Sequence, residues 1–184
     1  MLMTPPENFF VLTGGPASGK TALVEALRAR GYACSVEAGR AVIQHHLAIQ
    51  GPALPWLDPI LFAEMMLSWE MRSYDLARQT PGPVFFDRGV PDVQGYLQLG
   101  NFPVPSHVRK ASLIFRYNPT VFIAPPWKDI FRQDRERKQD FDEAVRTYET
   151  MRETYTALGY HLIEMPRTSV EQRLRFLLNH VPAA

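Results

Sequence analysis

Five short apolar runs, separated by longer amphipathic stretches, make up most of the chain. The runs are rich in aromatic and β-branched residues, as buried strands are, and they read NFFVLT, YACSVEA, PVFFD, PTVFIAP and YHLIEMP. Strands that alternate with helices are typical of a parallel sheet covered on both faces. The pattern therefore predicts an α/β fold with a five-stranded parallel sheet between helices. Because there is no repeat and no linker, residues 1–184 are expected to form a single domain.

Capping residues mark several helix boundaries. Asp58 followed by Pro59 predicts a helix N-terminus, and Ser169 with Gln172 resembles a capping box. Glycines typical of helix ends are Gly31, Gly51, Gly100 and Gly159. From Phe141 onward, apolar residues recur in steps of three and four, which predicts a helix with one buried face. These residues are Ala144, Val145, Tyr148, Met151, Tyr155 and Leu158.

Composition argues against several classes of function. The 20 Lys and Arg residues nearly balance the 19 Asp and Glu residues, and a net charge of +1 does not favour a nucleic-acid partner. No stretch approaches the roughly 18 apolar residues of a membrane span, so no membrane partner is expected. The only cysteine, Cys34, cannot form an internal disulfide, which favours a cytoplasmic location.

The segment Gly14–Thr21 carries the strongest chemical signal. Its sequence GGPASGKT fits the pattern G-x-x-x-x-G-K-[ST], and it lies between an apolar strand and the helical pattern TALVEALRARG. Backbone N–H groups of such a loop, together with the helix N-terminus, bind phosphates. We expect Lys20 to reach the terminal phosphates of ATP and Thr21 to ligate Mg²⁺, rather than a glycine turn without ligand. The predicted nucleotide-binding residues are Gly14, Gly15, Pro16, Ala17, Ser18, Gly19, Lys20 and Thr21.

Charged residues follow the predicted second and third strands. Glu37 lies at the end of the predicted second strand and is followed by Arg40, and Asp87 and Arg88 lie at the end of the third. In open parallel sheets, ligands bind beyond the carboxyl ends of the strands, so these side chains are expected to converge near the phosphate loop. The alternatives are a surface salt bridge between Glu37 and Arg40, and an N-cap role for Asp87 on a helix starting near Pro91.

Two further segments are candidates for ligand contact. Trp127, directly after two prolines at the end of the fourth strand, could contact substrate. Residues 131–143, FRQDRERKQDFDE, suit a lid over the nucleotide, for which we expect bounds of about 128–140. Arg135 and Arg137 are the candidates to stabilise charge on the transferred phosphate. The alternative is a solvated helix face, since charges of both signs alternate there.

The chain resembles a known family over nearly its whole length. The segments FFVLTGGPASGKTALVEAL and FFDRGVPDVQGY are the most specific to it, and VEAGRAVI, VFIAPPW, RERKQDF and LGYHLIEMP add to the match. They resemble the small single-domain predicted ATPases of an AAA-named family, which is similar to the ribosylnicotinamide kinase domain of the bifunctional NAD-biosynthesis regulator. Deoxynucleoside and thymidylate kinases are more distantly similar. The resemblance implies a three-layer P-loop NTPase fold with the third strand beside the first.

The same resemblance implies roles for the strand-end residues. By position, Glu37 and Asp87 would contact the acceptor or Mg²⁺, and Arg88 would bind an anion. A carboxylate close to a metal ion and an arginine is a good ligand and a poor base, so we expect Asp87 to lie beside Mg²⁺ and Glu37 to take the acceptor's proton. Arg40 and Trp127 are additional substrate-binding candidates.

AAA motor proteins differ from this chain at one informative position. In those motors a Glu that activates water follows the magnesium-site Asp, whereas here Arg88 follows Asp87. The length of 184 residues also leaves no room for the separate helical domain of such motors. We therefore expect a phosphotransferase that uses ATP and Mg²⁺ and acts on a small nucleoside-like acceptor. The alternatives are a slow nucleoside triphosphatase switch and an ATP-binding module with a protein partner.

Overall fold

The computed structural model describes residues 6–131 and 140–182, and these contain a parallel sheet with strand order β2-β3-β1-β4-β5. This arrangement confirms the predicted five-stranded parallel sheet and places the third strand beside the first. The strands are β1 Phe9–Gly14, β2 Ala33–Cys34, β3 Val84–Asp87, β4 Thr120–Ala124 and β5 His161–Glu164.

The second strand is much shorter than the predicted YACSVEA run. Ser35 donates its N–H to Phe85 O at 2.8 Å, and beyond this bond the chain leaves the sheet for the helix that begins at Ala38. Glu37 lies beyond the last residue of β2 and is the N-cap residue of this helix. Glu37 therefore precedes a helix instead of ending a strand.

Helices connect the strands and cover the sheet. Asp58 caps its helix by accepting a hydrogen bond from Leu61 N at 2.9 Å, and Ser169 accepts one from Gln172 N at 3.3 Å, as predicted. None of the helices in the part of the chain that the structure describes has the length and apolarity that a bilayer crossing requires. The helices are α1 Lys20–Ala29, α2 Ala38–Ala48, α3 Pro59–Ala77, α4 Val90–Leu99, α5 Ser106–Ile114, α6 Phe141–Ala157 and α7 Val170–Leu178.

Both faces of the sheet are buried, which explains why the strands are apolar without alternation. Alternate side chains of β1 point to opposite faces. Phe10 and Leu12 pack with α1 and α7, whereas Phe9 and Val11 pack in the larger core formed with α2 to α6. The molecule therefore has three layers, with the sheet in the middle.

Helix α6 has the predicted buried face, with small differences. Ala144, Tyr148, Met151 and Tyr155 are buried, whereas Val145 and Leu158 are only half-buried. Two threonines, Thr147 and Thr154, complete the buried face instead. Their hydroxyl groups can be buried because each donates a hydrogen bond to the carbonyl oxygen four residues earlier. Thr147 donates to Glu143 O and Thr154 donates to Thr150 O.

Candidate functional site

The loop between β1 and α1 is built on close backbone packing. Gly14 has φ of 127°, and a Cβ there would lie 2.3 Å from Ala124 O on the neighbouring strand. At Gly15 a Cβ would lie 2.5 Å from Ala144 O of α6. Because these obstacles are backbone atoms, side chains at either position would displace the loop or its neighbours. The two glycines thus hold the loop against both β4 and α6.

Lys20, the first residue of α1, is buried within this loop at 5% exposure. Its ammonium group donates to Gly15 O at 2.7 Å, Gly14 O at 3.3 Å and Ser18 Oγ at 3.2 Å. Ser18 in turn donates to Gly15 O at 2.8 Å. The next residue, Thr21, is exposed. The loop therefore surrounds a positive charge at the N-terminus of a helix, where anions bind favourably.

Arg173 on α7 also contacts this loop, a role that no sequence motif indicates. Its guanidinium donates to Ser18 O at 3.2 Å and to Gly19 O at 3.3 Å. The side chain is buried, and burial lowers the pKa of Arg173. Arg173 and Ser18 are more than 150 positions apart in the sequence, and the packing of α7 on α1 brings them together.

Asp87 lies where the sequence predicted, at the end of β3 beside the phosphate loop. It is in register with Leu12 of β1, two residues before Gly14, and its side chain is buried. Its backbone N–H donates to Ser35 Oγ at 3.0 Å. Helix α4 starts at Val90 with Gly89 as its N-cap, so Asp87 is not the capping residue of that helix.

Arg88 is held in a left-handed backbone conformation, with φ of 74°. Such a conformation is uncommon for residues other than glycine and occurs where surrounding contacts enforce it. Here Arg88 donates its backbone N–H to Leu12 O at 3.0 Å, its Nε to Glu37 Oε1 at 3.3 Å and its Nη1 to Asp92 Oδ1 at 3.1 Å. Burial alone would lower the pKa of Arg88, but the carboxylates of Asp92, Glu37 and Asp87 raise it.

Asp92 is the centre of this network. Its Oδ1 accepts a hydrogen bond from Thr13 Oγ1 at 2.6 Å in addition to the bond from Arg88, and its Oδ2 accepts from Tyr155 OH at 2.6 Å and Gly89 N at 2.9 Å. The contacts join β1, α4 and α6. Sequence reasoning missed Asp92, although its spacing of four from Arg88 on a helix start was a usable signal.

Glu37 forms a largely buried ion pair with Arg88, which differs from the surface salt bridge with Arg40 considered as an alternative. Its side chain is 10% exposed and pairs with Arg88 across the ends of β2 and β3. Arg40 is half-buried on the first turn of α2. The structure thus brings Glu37, Asp87 and Arg88 together at one edge of the sheet.

A cavity of about 400 Å³, here named the strand-end cavity, opens beside this cluster. It reaches the phosphate loop at Pro16, and the described residues Arg40 and Trp127 are not part of its lining. Its polar lining residues are Glu37, Glu70, Arg88, Asp92, Glu143 and Thr147. Its walls are otherwise apolar or aromatic and include Ile43, Trp56, Phe62, Met66, Val93 and Tyr96. The volume lies in the range of small-molecule sites.

Glu70 of α3 lines the same cavity and was not identified from the sequence. Its side chain is 2% exposed, and burial is the main reason that the pKa of Glu70 lies well above 4.5. The carboxylates of Asp92 and Asp87 raise this pKa further, while Arg88 lowers it. Glu64 and Asp75 are further acids on α3, so the sequence pattern of this helix does not single out Glu70.

Of the predicted lid, about residues 128–140, the structure describes residues 128–131 and 140. Arg135 and Arg137 lie outside the described residues, so their roles stay predictions. Before that gap, the Ile130 side chain approaches the phosphate loop, since its Cδ1 would be 3.1 Å from a Cβ on Gly19. Trp127 donates its indole N–H to Asp129 Oδ2 at 3.2 Å.

The residues at this edge fit Mg²⁺ that arrives with a nucleotide. Among residues 6–131 and 140–182, no group of three or more His, Cys, Asp or Glu side chains is arranged to hold a metal ion. Mg²⁺ is commonly bound by one or two carboxylates together with water and substrate phosphates. The buried carboxylate of Asp87 and the exposed hydroxyl of Thr21 match that requirement.

A family model described as an AAA domain matches residues 9–173. The chain belongs to this AAA domain family. Among curated proteins, no significant match was found. The family membership confirms the resemblance inferred from the phosphate loop and the FFDRG segment.

Solved structures show which fold this AAA domain has. The NadR protein in complex with NR superposes with a TM-score of 0.72 at 16% identity, over 97% of this chain and 52% of NadR. The chain thus spans about half the length of NadR. Thymidylate kinase from Ehrlichia chaffeensis gives 0.64 at 15% identity, over 95% and 98% of the two chains. Deoxyadenosine kinase from M. mycoides, with products dCMP and dCDP bound, gives 0.63 at 12% identity, over 93% and 97%. The AAA domain therefore has the P-loop kinase fold.

Proposed function

We propose that this AAA domain is a phosphotransferase that moves the γ-phosphate of ATP, with Mg²⁺, to a hydroxyl of a small nucleoside-like acceptor. The observation that carries the proposal is the strand-end cavity, which extends from the phosphate loop at Pro16 and has Glu37, Arg88 and Asp92 in its wall. A triphosphatase needs room for water only. A cavity of about 400 Å³ next to the phosphate loop suits a second substrate.

The nucleotide half of the site is assigned to Gly14–Thr21. Backbone N–H groups of the loop and the N-terminus of α1 bind the phosphates, and Lys20 contacts the terminal ones. Lys20 now donates to Gly14 O and Gly15 O, so phosphate oxygens would replace these carbonyls as its partners. Thr21 and Asp87 would hold Mg²⁺, which supplies positive charge to the phosphates when bound.

The acceptor half uses the opposite side of the strand ends. The acceptor oxygen forms a bond to the γ-phosphorus, the bond from that phosphorus to the β–γ bridging oxygen breaks, and ADP leaves. We assign the proton of the acceptor hydroxyl to Glu37 because Glu37 lines the strand-end cavity and Asp87 does not. Glu37 itself pairs with Arg88, so nearness to an arginine does not separate the roles of the two carboxylates. Arg88 has five N–H donors, and its contacts to Glu37 and Asp92 use two of them. Other donors of Arg88 would bind the transferred phosphate or an anionic group of the acceptor.

The predicted roles of Arg40 and Trp127 as acceptor contacts and of Arg135 and Arg137 as lid residues remain part of the proposal. Arg40 and Trp127 lie outside the lining of the strand-end cavity. They would therefore act from its surroundings. We assign the central steps to Glu37, Asp87 and Arg88 because these three converge at one edge of the sheet.

The direct test combines ATP and Mg²⁺ with a panel of ribonucleosides and deoxyribonucleosides and measures both ADP and phosphorylated nucleoside. A phosphorylated nucleoside supports the proposal. ADP formed at one rate with or without every nucleoside would favour the slow triphosphatase, and bound ATP without any ADP would favour the binding module with a protein partner. The last two outcomes overturn the transferase.

Three variants separate the proposed roles at the strand ends. Glu37→Gln should remove transfer and spare ATP affinity, because the amide cannot take the acceptor's proton. Asp87→Asn should raise the Mg²⁺ requirement and slow turnover. Arg88→Ala should slow transfer far more than it weakens ATP binding. Full transfer by Glu37→Gln would move the base role to Asp87.

A further inference from the structure

Helix α3 contributes Phe62, Met66 and Glu70 to the lining of the strand-end cavity, and Glu70 is the polar residue among them. Phe62, Met66 and Glu70 follow each other at four-residue steps on α3, so they share one face of that helix, and all three line the cavity. The Oε2 atom of Glu70 is buried and has no hydrogen-bond partner within the described chain. A methionine or leucine would continue the wall without a buried polar atom.

A buried carboxyl without a partner costs free energy that an apolar residue of similar size does not. The neighbouring charges do not remove that cost. Arg88, the cation that faces Glu70, donates to Glu37 and Asp92, while the carboxylates of Asp92, Asp87 and Glu37 oppose a charge on Glu70. Burial and these carboxylates raise the pKa of Glu70, which favours the neutral form of its carboxyl. A neutral carboxyl offers one O–H donor and one acceptor oxygen side by side.

The surrounding walls fit a flat ring. Phe62 and Tyr96 lie edge to face with 5.4 Å between ring centroids, and Trp56 completes an aromatic lining. Aromatic side chains pack favourably against planar heterocycles. Glu37 and Glu70 stand on different elements, so the hydroxyl and the ring of one acceptor can use different carboxyl groups.

We propose that Glu70 recognises the heterocycle of the acceptor by hydrogen bonds to an edge where a donor and an acceptor lie next to each other. Carboxamides, lactams and amino-substituted ring nitrogens have such an edge. The inference rests on the proposed phosphotransferase function and names the acceptor class more narrowly. Glu70 is thereby a specificity residue, separate from the proton transfer assigned to Glu37.

The test uses pairs of acceptors that differ by one hydrogen-bonding group. The pairs are adenosine and purine riboside, cytidine and 2-pyrimidinone riboside, and nicotinamide riboside and pyridine riboside. For the pair that is phosphorylated, the wild type should prefer the first member in kcat/KM by about tenfold or more. Glu70→Met should reduce this preference to about threefold or less, with the KM for ATP unchanged. Glu70→Gln keeps a donor and an acceptor and should retain the preference.

The control is Glu64→Gln, on the same helix. Glu64 pairs with His107 at the surface and is not part of the cavity lining, so its variant should keep the wild-type preference. Glu70→Met should also raise the Tm of the free protein, because it removes a buried polar group. A lower Tm with an unchanged preference would show a structural role and overturn the inference.

Failure of the inference is distinguishable from failure of the proposed function. If the wild type phosphorylates a probe and Glu70→Met keeps the full preference, the inference is overturned and the transferase stands. If the wild type phosphorylates none of the six probes or the wider nucleoside panel, the proposed function is overturned, and the inference with it.

Discussion

Lys20 is a buried cation whose hydrogen bonds go to the loop that it serves. Hydrogen bonds to Gly14 O, Gly15 O and Ser18 Oγ replace the water that the buried ammonium group has lost. The apolar core does not depend on it, because Leu23, Val24 and Leu27 form the packing face of α1. The residue is therefore suited to ligand binding more than to holding the fold together.

Lys20→Ala should abolish most ATP affinity and leave the protein folded. The lost contact is a charge-assisted one to phosphate, whereas the lost packing is small. Calorimetric titration with ATP measures the affinity, and circular dichroism checks the fold. Lys110→Ala, on the exposed side of α5, is the matched control and should bind ATP like the wild type. Unchanged binding by a folded Lys20→Ala protein would contradict the assignment.

Glu70 should make stability depend on pH in a defined direction. Burial, followed by Asp92 and Asp87, raises its pKa well above 4.5, so the folded protein keeps a proton that the unfolded chain releases. The free energy of unfolding should therefore fall as pH rises from about 4.5 toward the folded pKa, by at most about 1.4 kcal/mol per pH unit. Below the unfolded pKa this contribution is fully present.

Glu70→Gln has no proton to lose, so it should be more stable than the wild type by an amount that grows with pH over that window. Urea denaturation at a series of pH values measures the difference. Glu37, Asp87 and Asp92 are present in both proteins, which differ only at position 70. A difference that stays constant with pH would show that Glu70 is charged in the folded protein.

At the scale of elements, the fold was more accessible from sequence than the site. The five apolar runs and the caps at Asp58 and Ser169 are local signals, and the structure confirms them. The second strand is shorter than its apolar run because the chain leaves the sheet after Ser35. The strand propensity of residues 32–38 does not show where their pairing with the neighbouring strand β3 stops.

The site residues that the sequence missed are all defined by distant partners. Asp92 accepts hydrogen bonds from Thr13 and Tyr155, which lie on other elements, and Arg173 contacts carbonyls of the phosphate loop. Glu70 becomes unusual only because α3 buries it in a cavity wall. Lys20, Asp87 and Arg88 could be proposed as site residues from the sequence because each lies in a short characteristic segment, GGPASGKT or FFDRG.

Helix α7 is expected to control the phosphate loop through Arg173. Arg173→Met would leave the carbonyls of Ser18 and Gly19 without these donors, at a cost of about 1–3 kcal/mol in stability. The KM for ATP should rise more than kcat falls, because the loop binds ATP less well but the strand-end residues are intact. Chemical denaturation and steady-state kinetics measure both effects.

Arg175→Met is the control for that change. Arg175 lies on the same helix and pairs with Glu171 at the surface, where ion pairs contribute little. Its variant should have wild-type stability and KM. If Arg173→Met matched the wild type in KM for ATP while losing stability, Arg173 would be a purely structural residue.

At the scale of the whole molecule, the two substrates are expected to occupy different sides of one strand edge. The phosphate loop lies between β1 and α1, whereas the strand-end cavity is lined by residues of α2, α3, α4 and α6. Asp87 and Arg88 lie at the end of β3 between these parts. In the proposed function, most residues that bind one ligand would therefore differ from those that bind the other.

Each ligand alone should therefore raise the Tm of the wild type. A ligand at about 100 times its Kd stabilises by about 2.7 kcal/mol, which corresponds to about 5–11 °C for a domain of this size. Lys20→Ala should lose the Tm shift caused by ATP with Mg²⁺. It should keep the Tm shift caused by the nucleoside that serves as acceptor. Glu37→Gln should keep the ATP shift. Differential scanning fluorimetry of the three proteins with each ligand measures this pattern. Loss of the nucleoside shift in a folded Lys20→Ala protein would place both ligands in the phosphate loop and contradict the two-sided arrangement.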